Sequence, residues 1–204
     1  MKLSFKHFLT RLFTYKLRSK DILLVFVGDL VMETLENKYK YWRKKCDLMY
    51  LHTDNNQAQL YSKYSDVKML YIGDVGVENH CGRREFEDGV NYFQAGKELV
   101  FKEIKTPKKT VIVSSLRYSS ACGISAGLFA DLCRKNLNVS FIGIKPFGFE
   151  GKCAANNYSK ATELMNQAGC NNVAIIDPNN QKAEIKIMFY IKNKLIELVE
   201  KEIG

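Results

Sequence analysis

Small polar side chains follow one of the chain's apolar runs at the point where a buried strand would end. Ser119 and Ser120 stand shortly after the run Thr110 to Val113, and a helix is predicted to begin near Cys122. The first N–H groups of a helix have no partner within the helix and, together with the helix dipole, they attract negative charge. Hydroxyl groups at that point can donate to the same anion. The pattern therefore indicates either a small-anion site or an ordinary helix cap.

Thiol and imidazole side chains form a second group that could do chemistry. Five of them fall near predicted carboxyl ends of strands: Cys81, Cys122, Cys153, His52 and His80. Such ligands suit zinc and other soft metals. However, none of the six cysteines forms a Cys-x-x-Cys pair, the spacing typical of zinc ribbons and redox motifs. We therefore expect isolated, reduced thiols and no metal site. A metal or thiol sensor stays open as an alternative.

Six apolar runs of strand length recur along the chain, separated by segments compatible with helices. They are Ile22 to Val27, Asp47 to Leu51, Met69 to Ile72, Thr110 to Val113, Val139 to Ile144 and Val173 to Ile176. Continuous rather than alternating apolarity predicts strands that are buried on both faces, as in a parallel sheet covered by helices. We predict one α/β domain, a three-layer Rossmann-like fold with a mainly parallel six-stranded sheet. Ligands bind such sheets at the carboxyl ends of the strands.

The segment after the fifth run carries a specific pattern. Phe141 to Ile144 leads into Lys145-Pro-Phe-Gly-Phe-Glu-Gly151, which resembles the motif Lys-Pro-Phe-x-Phe-Glu-Gly of the FtsZ/tubulin family of filament-forming GTPases. The resemblance extends over 110–133 and over 52–60, which is similar to the FtsZ segment Asn-Thr-Asp-Ala-Gln-Ala-Leu with two residues added. It identifies residues 21–180 as a divergent nucleotide-binding-type domain. The helix predicted over 181–204 resembles the family's central helix, and we expect the second FtsZ domain to be absent. The apolar residues near helical spacing that predict one stripe of this helix are Ile185, Met188, Ile191, Leu195, Leu198 and Val199.

The resemblance implies a guanine-nucleotide site with GTP or GDP and Mg²⁺ as cofactors. The residues it implies are Gly28, Thr53, Asp54, Ser119, Ser120, Gly123, Glu150, Asn179, Phe189 and Asn193. In the family, the acid matching Glu150 holds the ribose, and the aromatic residue matching Phe189 stacks on guanine. The residue matching Asn179 contacts the base. Asn193 stands where the family has Asp, so that a pure acceptor is replaced by a mixed donor and acceptor.

The glycine-rich phosphate loops of that family are mostly missing here. The loop Gly-Gly-Gly-Thr-Gly-Thr-Gly corresponds by position to Tyr118-Ser-Ser-Ala-Cys-Gly-Ile124, and in the first turn only Gly28 remains, followed by Asp29. Side chains at these positions obstruct the close approach of backbone N–H groups to phosphates. We predict that Asp29 is the N-cap of the next helix. The basic residue usual after Phe-Glu-Gly is replaced by Ala154 or Ala155.

These departures predict an interaction or filament-associated protein, with a link to cell division, that binds GTP weakly or not at all and has no catalytic residues. Its expected partner is an FtsZ-like protein or a second copy of the chain. One alternative is a residual GTPase in which Asp54 holds Mg²⁺ and Arg83 or Arg84 clamps phosphate. A structural interpretation of the motif also stays open, with Glu150 paired to a lysine and Phe189 in the core.

Basic residues are concentrated at the N-terminus. The first 20 residues hold six lysines and arginines and no acid, and so supply six of the net charge of +9. Nucleic-acid-binding motifs are not visible, so nucleic acid is not a predicted partner. Residues 1–20 are predicted to form an amphipathic helix that packs on the domain, with an anionic membrane surface as the alternative. We expect a cytoplasmic protein, either free or peripheral at the membrane, because no apolar run approaches about 20 residues.

Overall fold

The computed structural model describes residues 20–53, 59–64, 66–73, 85–104, 109–117, 119–169, 171–180 and 184–204. Within these residues, one sheet contains β1 (Ile22–Val27), β2 (Asp47–His52), β3 (Val67–Tyr71), β4 (Lys109–Ser115), β5 (Val139–Ile144) and β6 (Val173–Ile176). The strand order is β3-β2-β1-β4-β5-β6, and every neighbouring pair is parallel. The predicted three-layer α/β fold is confirmed, and the sheet is parallel throughout rather than mainly so.

Helices cover both faces of this sheet. Those in the described part of the chain are α1 (Asp29–Lys45), α2 (Phe86–Glu103), α3 (Ser119–Arg134), α4 (Gly151–Gln167) and α5 (Glu184–Ile203). Leu23 and Val25 of β1 belong to the core shared with α2, α3 and α4, whereas Leu24 and Phe26 belong to the core shared with α1 and α5. Successive side chains of a strand point to opposite faces, so a strand covered on both faces must be apolar throughout.

The strand bounds follow the predicted runs closely, and they differ where polar residues lie inside the sheet. β1, β5 and β6 have the predicted bounds, β2 extends to His52, and β4 extends in both directions to Lys109 and Ser115. β3 begins at Val67, before the predicted Met69. It lies at the edge of the sheet, where Lys68 is exposed, and this explains why its run was less apolar.

Helix α5 runs back along the sheet, antiparallel to the strands. Lys109 at the start of β4 forms an ion pair with Glu202 near the end of α5, with 2.7 Å between Nζ and Oε2. The buried stripe of the helix is Ile187, Ile191, Leu195, Val199 and Ile203. Met188, which we predicted on that stripe, is 42% exposed. The N-terminal end of α5 therefore lies at the carboxyl edge of the sheet, beside the loops that follow the strands.

Two helix starts differ from the prediction. Helix α3 begins at Ser119 rather than near Cys122, so Ser119, Ser120 and Gly123 are helical residues instead of parts of an open loop. The N-cap of α1 is Gly28 rather than Asp29, and it offers no side-chain acceptor. Asp29 is the first helical residue. Residues 1–19, with most of the predicted N-terminal helix, lie outside the described residues.

Candidate nucleotide site at the carboxyl edge of the sheet

Gly28 forms the turn from β1 into α1. Its φ is +86°, a backbone angle that residues other than glycine rarely adopt because they carry a Cβ. A Cβ placed on Gly28 would lie 2.9 Å from Cβ of Ala121, inside the normal contact distance. Gly28 therefore satisfies two requirements at once: a left-handed backbone and a close approach of this turn to the first turn of α3.

Ser114, at the end of β4, ties together the same elements. Its buried hydroxyl lies 3.3 Å from the carbonyl oxygens of both Val27 and Ala121, and it can donate to either. The next residue, Ser115, is also buried, and its hydroxyl has no hydrogen-bond partner among the described residues. The carboxyl ends of β1 and β4 thus meet α3 through a glycine and a serine, and neither residue presents a charge to a ligand.

Gly123 is buried between two helices. A Cβ there would lie 2.5 Å from the backbone nitrogen of Val90, so only glycine permits this approach of α3 to α2. The resemblance implied that Gly123 belongs to a phosphate loop, whereas the structure places this residue inside α3 against α2. Its part in nucleotide binding stays a prediction. Ser120 is half-buried in the first turn of α3, and the side chain of Ser119 lies outside the described residues.

Arg117 and Glu150 form the strongest electrostatic contact of the edge. Arg117 Nε donates to Glu150 Oε1 at 2.6 Å, and Nη2 donates to the same oxygen. Only 13% and 14% of their side-chain surfaces are exposed. The guanidinium carbon also lies 4.5 Å from the centre of the Phe147 ring. Glu150 is therefore paired with an arginine from the turn between β4 and α3, rather than with the lysine that the structural interpretation of the motif suggested.

Glu150 also accepts a hydrogen bond from the backbone of its own loop. Its Oε2 accepts a hydrogen bond from the backbone N–H of Phe147 at 2.8 Å, which closes the 3-10 helix Gly148–Glu150 that precedes α4. Both carboxylate oxygens therefore have partners inside the protein. Arg117 was not among the predicted site residues. The sequence signal that could have pointed to it was the missing base at Ala154 or Ala155, which leaves room for a cation from a distant segment to pair with Glu150.

Asn179 joins the loop after β6 to the loop after β5. Its Oδ1 accepts from the backbone N–H of Gly148 at 2.6 Å, and its Nδ2 donates to the carbonyl oxygen of Pro146 at 3.0 Å. The same Nδ2 lies 2.9 Å from Asp177 Oδ1. The amide resembling the family's base-contacting residue is thus engaged with this chain's own backbone.

Asp177 and Lys145 form a neighbouring ion pair, with 2.8 Å between Oδ2 and Nζ. Burial on its own raises the pKa of the Asp177 carboxyl, but hydrogen bonds from Lys145 and Asn179 outweigh burial and lower this pKa below its ordinary value. The hydrogen bond with Asp177 raises the pKa of Lys145. Lys145, the first residue of the Lys-Pro-Phe motif, therefore forms a partly exposed ion pair between the loops that follow β5 and β6.

Two phenylalanines at this edge are exposed. Phe149 is 73% exposed, and its ring stacks on Phe147 with 5.0 Å between centroids and 9° between planes. Phe189, near the start of α5, is 69% exposed, and Asn193 is exposed one helical turn further on. The structural interpretation that placed Phe189 in the core is wrong, because the buried stripe of α5 is formed by other residues.

Several predicted residues cannot be placed at the site. Thr53 is half-buried just after β2, and Asp54, Tyr118, Arg83 and Arg84 lie outside the described residues. The structure therefore brings Glu150 and Asn179 together on the neighbouring loops after β5 and β6, whereas Gly28 follows β1 on the far side of β4. The Mg²⁺ and phosphate-clamp assignments stay predictions. The donors that these described segments offer to a triphosphate include backbone N–H groups, the hydroxyl of Ser120 and the cations of Arg117 and Lys145. Both cations are already in ion pairs with carboxylates of the chain.

The cysteines have different environments. Cys122 is buried, its thiol lies 3.4 Å from the carbonyl oxygen of Asn157, and burial raises its pKa. Cys153 is exposed, whereas Cys133 is disulfide-bonded, so the expectation of reduced thiols is wrong at Cys133.

The predicted histidine ligands are not brought together with these thiols in the described part of the chain. His52 is buried between the rings of Tyr50 and Tyr71. Among the described residues, no group of three metal-ligating side chains is present; His80 and Cys81 lie outside them.

Comparison with solved structures reveals this architecture in several other proteins. FtsZ of M. jannaschii, solved as an empty dimer, has a TM-score of 0.73 at 17% identity, over 97% of this chain and 58% of its own. CetZ2 of Haloferax volcanii, a GTPγS-bound protofilament, has a TM-score of 0.70 at 17% identity, over 88% and 57%. Monomeric TubZ of bacteriophage PhiKZ has a TM-score of 0.69 at 12% identity, over 89% and 61%. No protein-family model matches the chain, and no curated protein matches it.

The parallel sheet with its covering helices defines a Rossmann-like α/β domain. More narrowly, the fold is that of the N-terminal GTPase domain of the tubulin/FtsZ family. The chain spans 57 to 61% of the lengths of the three solved chains described above. Within the part of the chain that the structure describes, no helix has both the length and the apolarity needed to cross a bilayer.

Proposed function

We propose that this chain is a divergent FtsZ/tubulin-like protein that acts through interaction or filament association and binds guanine nucleotide weakly or not at all. The observation that carries the proposal is the engagement of Glu150 and Asn179 with the protein itself. Glu150 is bonded to Arg117 and to the Phe147 backbone, and Asn179 is bonded to the backbone of Gly148 and Pro146. In the family that this chain resembles, these two positions serve ribose and base.

Binding a nucleotide in the family's manner would require these internal contacts to be given up. Removing one partner of a fully buried ion pair costs on the order of 3–5 kcal/mol, which is an upper limit for this part-buried pair, and each 1.4 kcal/mol or so is a factor of about ten in affinity. The missing glycines of the phosphate loops add a steric cost. Nucleotide in its usual pose does not fit the residues present unless the Arg117–Glu150 pair opens.

An interaction role is supported by the exposed aromatic side chains of the same edge. Phe149 and Phe189 are each about 70% exposed, and Met188 lies beside Phe189 in sequence. Aromatic and methionine side chains are enriched at protein interfaces. CetZ2 and one form of PhiKZ TubZ were solved as protofilaments, which supports a second copy or an FtsZ-like protein as the partner.

Two measurements on the purified chain test this proposal. Calorimetric titration with GTP, GDP and ATP in the presence of Mg²⁺ should detect weak binding or none. Sedimentation velocity over a range of protein concentrations should show concentration-dependent association, which the double variant Phe149→Ser with Phe189→Ser weakens. Submicromolar GTP binding by a chain that stays monomeric, alone and with an FtsZ-like protein, would refute the proposal.

A residual GTPase is the second candidate, and one observation favours it. Phe189 and Asn193 are both exposed and lie one helical turn apart on α5. Both side chains are therefore accessible to the base of a nucleotide. In this alternative, Asp54 holds Mg²⁺ and Arg83 or Arg84 contacts the phosphates. Phosphate release that increases with protein concentration and disappears in Asp54→Ala would establish this function, whereas we expect no turnover.

A further inference from the structure

We infer that the Arg117–Glu150 pair is an intramolecular latch that excludes nucleoside diphosphates from the carboxyl edge of the sheet. This inference rests on the proposed function, since it names the residue that makes nucleotide binding weak. It assigns a role to Arg117, which the sequence patterns did not single out. Arg117 would act here as a substitute for the ligand, by satisfying the carboxylate that the ribose hydroxyls would otherwise meet.

The latch is held on several sides. Arg117 contacts Glu150 Oε1 through Nε and Nη2, and its guanidinium carbon lies over the Phe147 ring, 4.5 Å from the centroid. This cation–π contact and the forked hydrogen bond together fix the guanidinium, and a lysine could not reproduce the fork. Because little of either side chain is exposed, solvent screens the pair only weakly.

The latch also connects loops that are distant in sequence. Arg117 follows β4, whereas Glu150 precedes α4, which lies beyond β5. Asn179, after β6, is bonded to Gly148 and Pro146 in the same middle loop. Three successive loops at the carboxyl edge are therefore joined by side chains. Opening the latch frees only the first connection and leaves that between the second and third loops in place.

The ligand class follows from the groups that the latch sequesters. A carboxylate with free oxygens would accept hydrogen bonds from vicinal ribose hydroxyls, and exposed Phe189 offers a ring face for a base. A nucleoside diphosphate combines both features. Because an arginine stays protonated at all ordinary pH values, the latch should open through substitution of Arg117 and not through moderate changes of pH.

The decisive variant replaces Arg117 by methionine in the full chain. Methionine retains length and apolar contact with Phe147 but removes the charge and the donors. Calorimetric titration with GDP should detect binding at least about tenfold tighter than in the parent, which corresponds to about 1.4 kcal/mol. Arg117→Lys should improve binding less. Adding Glu150→Gln to Arg117→Met should return binding to the parent level, because the exposed acid is then lost.

The remaining outcomes are also informative. Binding by Arg117→Met that is equal to or weaker than in the parent, or undetectable in both, overturns the latch. Undetectable binding in both still leaves the proposed function standing. Submicromolar GDP binding by the parent overturns the proposed function and the latch together, because the pair then excludes nothing. If Arg117→Met does not fold, as judged by circular dichroism, Arg117→Gln is titrated instead and the same criteria apply.

Discussion

The side chain of Asn157 completes the hydrogen bonding at the start of a different helix. Its Oδ1 accepts from the backbone N–H of Phe86, the first residue of α2, at 3.0 Å. Asn157 lies in α4 and is 3% exposed. The first N–H groups of a helix have no partners within the helix, so a buried acceptor from a neighbouring helix replaces the usual cap.

Substitution of Asn157 by alanine should therefore lower the free energy of unfolding by about 1–3 kcal/mol, because a buried N–H loses its acceptor. Urea denaturation followed by circular dichroism measures this change. The matched control is Asn156→Ala at the adjacent exposed position, which should change stability little. An Asn157→Ala variant as stable as that control would show that the hydrogen bond contributes nothing.

Gly123→Ala should destabilise the contact between α2 and α3. The added methyl would lie 2.5 Å from the backbone nitrogen of Val90, and overpacking against backbone costs typically about 1–3 kcal/mol. Gly96→Ala is the comparison, because its methyl would lie 3.1 Å from Cγ2 of Ile72, a side-chain atom that can shift. Thermal denaturation should show the larger decrease in Tm for Gly123→Ala, and equal decreases would refute this explanation of the glycine.

The lowered pKa of Asp177 predicts a pH dependence of stability. An acid whose pKa is lower in the folded state than in the unfolded state stabilises the fold above its unfolded pKa, and this contribution is lost as the pH falls through the folded pKa. The ordinary value is 3.8, so the effect belongs below about pH 4. Asp177→Asn should remove it, at under about 1 kcal/mol because the pair is about one-third exposed.

Urea denaturation of both proteins at a series of pH values measures that difference. Parent and Asp177→Asn should converge at the lowest pH and diverge towards neutrality. Lys145→Met is the complementary variant, since it removes one of the two hydrogen-bond partners that lower the pKa. A constant difference between parent and Asp177→Asn across the whole pH range would contradict the assignment.

Thiol labelling should distinguish the described free cysteines. Burial raises the pKa of the Cys46 thiol to about 12, and that of Cys122 is also raised by burial, whereas Cys153 is exposed. Because the thiolate is the reactive form, iodoacetamide at neutral pH should modify Cys153 rapidly and the other two only after unfolding. Peptide mass spectrometry locates the modified residues. Rapid modification of Cys122 in the native protein would show that this part of the edge opens.

Deletion of residues 1–19 tests the two interpretations of the basic N-terminal segment. The truncation retains Lys20, whose backbone N–H donates to Asp47 Oδ2 at 2.9 Å. If the segment packs on the domain, the truncated protein should melt earlier or aggregate, which is the result we expect. If it binds a membrane, stability should be unchanged while salt-sensitive binding of the parent to anionic vesicles is lost. Calorimetric melting and vesicle sedimentation, carried out together, decide between the two outcomes.

The strands of this protein were predictable from the sequence because their environment imposes a simple requirement. A strand with helices on both faces is apolar at most positions, and β1, β5 and β6 accordingly have the predicted bounds. The motif around Lys145 and Glu150 likewise indicated a family of folds, and the comparison of structures confirmed that fold. Periodicity also placed most of the buried stripe of α5.

Only the tertiary structure decided what the motif residues contact. Arg117 and Glu150 are 33 residues apart in the sequence, and their pairing depends on how β4 and β5 align within the sheet. The sequence predicted Gly123 in a loop, because a glycine in a turn and a glycine at a close contact between helices have the same residue type. A polar or flexible residue is compatible with many partners, and the distances between loops select one of them. The fold therefore followed from local apolarity, whereas the chemistry of the carboxyl edge followed from contacts between distant segments.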